Sequence, residues 1–98
     1  MILPACATGD VPLGEGRAVV LSGSRIAVFN TSGGWHALDA VCPHRGGPLE
    51  DGIVSGSSVL CPLHDRAYDL STGESRSGCA GVTVYPVEVR EGVVLVDV

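Results

Sequence analysis

Apolar residues along this chain fall in short β-branched runs punctuated by Gly and Ser, and no segment repeats at a helical period. Ala18–Leu21 and Arg25–Phe29 are two such runs, and Ser22-Gly23-Ser24 between them predicts a hairpin. Ser32-Gly33-Gly34 turns the chain into Trp35–Leu38. Ile53-Val54 and Ser58–Leu60 flank Ser55-Gly56-Ser57, a second hairpin pattern. Tyr68–Leu70 is a short run that ends at Ser71-Thr72-Gly73-Glu74. The last pair is Val82–Arg90 and Val93–Val98 about a Glu91-Gly92 turn. Val87 and Val89 flank polar Glu88 there, as in a half-buried strand, and Pro86 predicts an edge or a bend. Turns at this spacing predict an all-β domain, a small antiparallel sandwich or barrel.

Two stretches break the pattern, Cys42–Asp51 and Cys61–Tyr68. Both are polar, interrupted by proline, and carry a Cys and a His. In a protein of strands they are expected as loops at sheet ends, where sites are commonly built.

Composition narrows the picture. The 98 residues are expected to form a single domain, 1–98, and 45% apolar content is enough for a core. Six basic against eleven acidic residues give a net charge of −5. That balance argues against nucleic acid and anionic membranes as partners, since both select clustered basic residues. No apolar run approaches the roughly 18 residues of a membrane span. Met1–Cys6 faintly resembles a lipoprotein cleavage site but has neither a basic leader nor a long apolar stretch, so a cytoplasmic location is expected. In a reducing compartment four cysteines are expected as thiols or metal ligands rather than disulfides.

The chemistry is concentrated in Cys42-Pro43-His44 and Cys61-Pro62-Leu63-His64, with sixteen residues, 45 to 60, between His44 and Cys61. Two thiols and two imidazoles are a full ligand set for a soft or borderline metal. Each loop supplies one Cys and one His, whereas many zinc fingers pair like with like. A mixed pair from each loop suits a binuclear centre. A structural zinc ion would use the same four atoms and defines the alternative of a zinc-stabilised interaction module. A Cys–His hydrolase pair lacks an orienting third group and an oxyanion turn.

The double motif resembles that of the Rieske iron–sulfur proteins. Gly46-Gly47 after the first His, Tyr68 four positions after the second, the Thr72-Gly73 turn and the final hairpin carry the likeness further, most strongly from Val41 to Glu74. The resemblance implies one [2Fe-2S] cluster per chain. Cys42 and Cys61 would hold the inner iron as thiolates, and His44 and His64 the outer iron through ring nitrogens near solvent. Two neutral imidazoles in place of two thiolates leave the oxidised centre formally neutral. Such centres therefore span about −150 to +300 mV, against roughly −400 mV for four-thiolate plant-type ferredoxins. High-potential respiratory members add a disulfide pair and a Ser hydroxyl. Gly47, Leu63 and Arg66 stand at those positions here, which implies the low end of the range.

The implied role is that of an electron carrier or small subunit, not a catalyst alone. No Gly-x-Gly-x-x-Gly turn marks a nucleotide site. The partners implied are a larger reductase or oxygenase subunit and an electron-donating flavoprotein. Cys-Pro-His-Arg-Gly-Gly, Asp51–Gly56, Cys-Pro-Leu-His-Asp and Gly78-Cys79 look like the small subunit of assimilatory NAD(P)H nitrite reductase, which would place the chain in nitrate assimilation. The ferredoxin of aromatic-ring dioxygenases shares the Leu63-His64 context, the Thr-Gly turn and the last hairpin. Its cover loop often carries prolines, and Ser77–Gly81 has none, which favours the nitrite reductase reading. Glu50, Asp51 and Asp65 are positioned to steer a basic docking face or simply to aid solubility. Phe29, Trp35 and Tyr85 are expected in the core, His36 at or near the surface without a role, and Cys6 and Cys79 as plain small residues. Arg45 is read either as a solvated loop charge or as a neighbour of the ligands.

Overall fold

A computed structural model of the chain describes residues 1–41, 47–62, 66–76 and 81–98. They form ten strands: β1 (Ile2–Ala7), β2 (Gly16–Leu21), β3 (Ser24–Thr31), β4 (Gly34–Asp39), β5 (Ile53–Ser55), β6 (Ser58–Leu60), β7 (Ala67–Asp69), β8 (Val84–Tyr85), β9 (Val87–Arg90) and β10 (Val93–Asp97). The all-β expectation holds, with only two single-turn 3-10 helices, Thr8–Asp10 and Leu49–Asp51, among the described residues. No helix there is long and apolar enough to cross a membrane.

The strands make three antiparallel sheets with orders β2-β3-β4-β8, β1-β10-β9 and β5-β6-β7. Strand β3 explains how the sheets stack. Its Ile26-Ala27-Val28-Phe29 run is apolar without a break, and all four residues are buried. A strand covered on one face alternates apolar and polar, so a continuous run implies cover on both. Ile26 and Val28 pack with Ala37, Val94 and Val96, against the β1-β10-β9 sheet. Ala27 and Phe29 point the other way, into a cluster with Leu38, Ala40, Leu49, Val59, Cys61, Tyr68 and Leu70. The four-stranded sheet is thus the middle layer.

The turns follow local chemistry. Ser22 and Gly23 both have positive φ, 50° and 79°, and form a two-residue turn that matches the twist of β2 and β3. Ser24, expected as part of the linker, instead opens β3. Glu91 and Gly92 repeat the device between β9 and β10. Pro86 separates β8 in the middle sheet from β9 in the outer sheet, so the expected bend is the point where the chain changes layer. Strand β1 had no signal in the apolar pattern. It pairs with β10 across a register shift between Pro4 and Cys6, on a sheet edge where a missing N–H is tolerated.

Candidate metal centre

Strands β6 and β7 converge on the second candidate ligand loop. Leu60 pairs with Ala67, and the next pair inward closes it, with the Cys61 N–H donating to the Arg66 carbonyl at 2.7 Å. Cys61 is 1% exposed and lies in the apolar cluster with Ala40, Leu49 and Leu70. Of the four predicted ligands it is the one among the described residues; Cys42, His44 and His64 lie outside them.

The ends of the first ligand loop are nonetheless placed. Val41 bridges Pro48, and the Leu49 N–H donates to the Ala40 carbonyl at 2.8 Å. Ala40 and Leu49 are fully buried in the cluster that holds Cys61. The two loops therefore spring from one patch of core, although sixteen residues separate His44 from Cys61 in sequence. A third segment, 77–80, has its root there too. The Arg76 N–H donates to the Ala67 carbonyl, beside the second loop, and the Val82 N–H donates to the Gly73 carbonyl, both at 2.8 Å. Cys79 and the Ser77–Ala80 part of the expected cover lie outside the described residues, as do Arg45 and Asp65.

This arrangement fits an iron–sulfur cluster. Cys61 offers a soft sulfur donor from an apolar, water-poor floor, the side on which the resemblance put the thiolates. Its backbone is held by the bond to the Arg66 carbonyl.

Some expectations change. Glu50 does not face a docking partner. It is 8% exposed, at the end of the first loop, and accepts a bond from the Arg25 guanidinium. The 3-10 helix Leu49–Asp51 turns it inward, while Asp51 stays exposed. Sequence reasoning missed Arg25 altogether; it is 53% exposed at the start of a central strand, and nothing local marks it as the partner of a buried carboxylate. Phe29 is core as expected, but Trp35 and Tyr85 are half-buried and line an open groove with His36 and Leu70. The groove forms because β8 covers β4 only at Ala37 and Leu38. His36 is half-buried on β4, opposite Phe29. Cys6 is half-buried on β1, and burial, with Asp10 nearby, pushes its thiol up, the behaviour of a plain packing residue.

Comparison with known proteins places these features. The family model for the Rieske [2Fe-2S] domain matches residues 1–86. The ferredoxin component of the naphthalene 1,2-dioxygenase system of Pseudomonas aeruginosa is 32% identical over 99 aligned positions, covering 97% of this chain and 93% of the relative. A crystal structure provisionally assigned as the NADH-dependent nitrite reductase small subunit of Mycobacterium tuberculosis superposes with a TM-score of 0.91 at 31% identity, covering 98% of this chain and 93% of that one. The ferredoxin of Sphingomonas yanoikuyae B1 superposes at 0.89 with 31% identity, covering 99% and 98%. Two loops rooted on one buried patch, a buried cysteine at the base of the second, and likeness along nearly the whole chain lead to one assignment: the chain belongs to the Rieske [2Fe-2S] family and is an electron-transfer protein of the ferredoxin type.

Proposed function

We propose that Cys42 and Cys61 ligate the inner iron and His44 and His64 the outer one, in a single Rieske domain spanning 1–98. The observation that carries this reading is the shared buried floor of Ala40, Leu49 and Cys61 beneath both loops. When bound, the cluster accepts and releases one electron at a time. The chain's own residues fix its surroundings. Leu49, Ala40, Leu70 and Tyr68 keep water from the thiolate side. Val41 and Pro62, which border the two loops, are exposed and offer apolar surface to a partner. The test is reconstitution with iron and sulfide. The product should absorb in the visible and give an electron spin resonance signal only after reduction. A colourless protein holding one zinc ion per chain would instead establish the zinc module.

The partner proposed is the catalytic subunit of an NAD(P)H nitrite reductase, in the cytoplasm and in nitrate assimilation, with a flavoprotein as electron source. The match to the nitrite reductase-type structure over 98% of this chain and 93% of that one supports this, as does a Ser77–Gly81 segment without proline. The second reading, a dioxygenase ferredoxin, draws support from the naphthalene system relative. Single-turnover oxidation of the dithionite-reduced chain separates them. A siroheme reductase subunit should oxidise it faster than a Rieske oxygenase; the reverse order would select the second reading.

A further inference from the structure

Four residues close a ring of bonds at the root of the first ligand loop. The Arg25 carbonyl accepts from the Ala40 N–H at 3.0 Å, and the Ala40 carbonyl accepts from the Leu49 N–H at 2.8 Å. Glu50 follows Leu49 in the chain, and its Oε2 accepts from Arg25 Nη2. Arg25 thus holds the strand that enters the loop through its backbone and the turn that leaves the loop through its side chain. The two bonds differ in kind. The backbone link uses the Arg25 carbonyl and does not depend on its side chain, whereas the ion pair depends on both side chains.

The pair is also asymmetric. Arg25 is 53% exposed, but Glu50 is 8% exposed, and its Oε1 has no hydrogen-bond partner among the described residues. Glu50 shares a polar cleft with Glu15 and Asp51, so its surroundings add negative charge. Among the described residues Arg25 is the one cation bonded to it. A charge at this depth is poorly screened by water and acts over longer distances than one at the surface.

We propose that Arg25 is a positioning residue for electron transfer: its ion pair with Glu50 clamps the exit of the first ligand loop and cancels a buried negative charge that would otherwise oppose reduction of the cluster. The inference rests on the proposed ligation by that loop. Reduction adds negative charge to a site whose floor touches Leu49, the residue next to Glu50. An uncompensated Glu50 carboxylate disfavours that state, and an uncompensated Arg25 favours it.

Redox titration of the reconstituted protein tests this. Arg25→Gln should lower the midpoint potential, Glu50→Gln should raise it, and the double variant should return it toward the wild-type value. Opposite signs with cancellation are the mark of a charge pair, since loosening of the loop would move both single variants alike. Hydrogen exchange reads the clamp separately: the Leu49 amide should exchange faster in both single variants. Should Arg25→Gln fail to fold, Glu50→Gln and the double variant, which leaves no unpaired charge, still decide the matter. An unchanged potential in Glu50→Gln, or shifts of the same sign in both single variants, overturns the inference. A wild-type chain that binds no cluster overturns the ligand reading beneath it instead.

Discussion

The Tyr85 hydroxyl donates to Asp39 Oδ1 at 2.7 Å and ties the two-residue strand β8 to the end of β4. Two residue pairs join these strands, beside the Asp39 N–H bond to the Thr83 carbonyl at 2.9 Å, and the side-chain bond adds a further tie. Bonding to Asp39, then burial, then repulsion from the same carboxylate push the Tyr85 hydroxyl up from 10.0 to about 12. Because the folded state holds this proton more tightly, the contribution is fully present below about pH 10 and is lost as pH rises through about 12. Tyr85→Phe should cost about 1.5–2 kcal/mol at neutral pH, the lower range for a bond to a charged group at a half-buried site. Urea unfolding at neutral and alkaline pH checks both points: the gap between wild type and variant should narrow at the alkaline end.

Asp69 governs the opposite pH limb. Its Oδ1 accepts from the Ser71 and Thr72 N–H groups at 2.8 and 3.0 Å, and its Oδ2 from Arg76 at 3.0 Å. These bonds, the backbone ones foremost, hold the carboxyl below its usual 3.8. The stabilisation is present above that value and disappears as pH falls through the lowered native one. Asp69→Asn should therefore be less stable than wild type at neutral pH and equal to it in acid. The effect should also reach the third segment, because Arg76 precedes residue 77. Parallel acid unfolding curves for the two proteins would contradict this assignment.

How much of this was legible in the sequence depended on the range of the interaction. The Ser22-Gly23 and Glu91-Gly92 turns were readable because each ends on a glycine, which takes positive φ without steric cost, between two apolar runs. Pro86 was readable because a missing N–H forbids a sheet interior. Cys42, His44, Cys61 and His64 stood out because metal ligation limits both residue type and spacing. Strand β1 was not readable: it exists because β10 offers a partner from the far end of the chain. Glu50 was misplaced for the same reason. Nothing local distinguishes a carboxylate that meets a basic residue twenty-five positions away from one that meets water. Trp35 and Tyr85 were placed in the core by residue type, but burial there is decided by the shortness of β8.

Cys61→Ser separates the ligand role from the packing role. A hydroxyl of similar size preserves most of the fit in the cluster with Ala40 and Leu49, whereas as an iron ligand it is far harder than sulfur. The variant should retain the β-sheet circular dichroism of the apoprotein while losing iron and visible absorption on reconstitution. His64→Cys makes the complementary change by putting an anion where a neutral ligand is proposed. It should keep iron but shift the potential downward, toward the roughly −400 mV of four-thiolate ferredoxins. Full iron content in Cys61→Ser, or an unmoved potential in His64→Cys, would refute the respective ligand.

Gly73 offers a way to loosen the third segment without touching a ligand. It has φ of +77°, and an added Cβ would run into the carbonyl of Val82, the residue whose N–H is bonded back to Gly73. Gly81 packs against the same backbone, so the crossing is tight from both sides. Gly73→Ala combines a left-handed conformation, about 1–2 kcal/mol, with overpacking, about 1–3 kcal/mol. The expected loss is about 2–5 kcal/mol. Gly56 is the control, since its φ of +59° is also left-handed but nothing lies within 4 Å of its Cβ position. Gly56→Ala should lose only the conformational part. Equal destabilisation of the two variants in urea would show that φ alone governs Gly73. A larger loss in Gly73→Ala, with faster bleaching of the reconstituted cluster by chelator, would tie the close crossing to protection of the site.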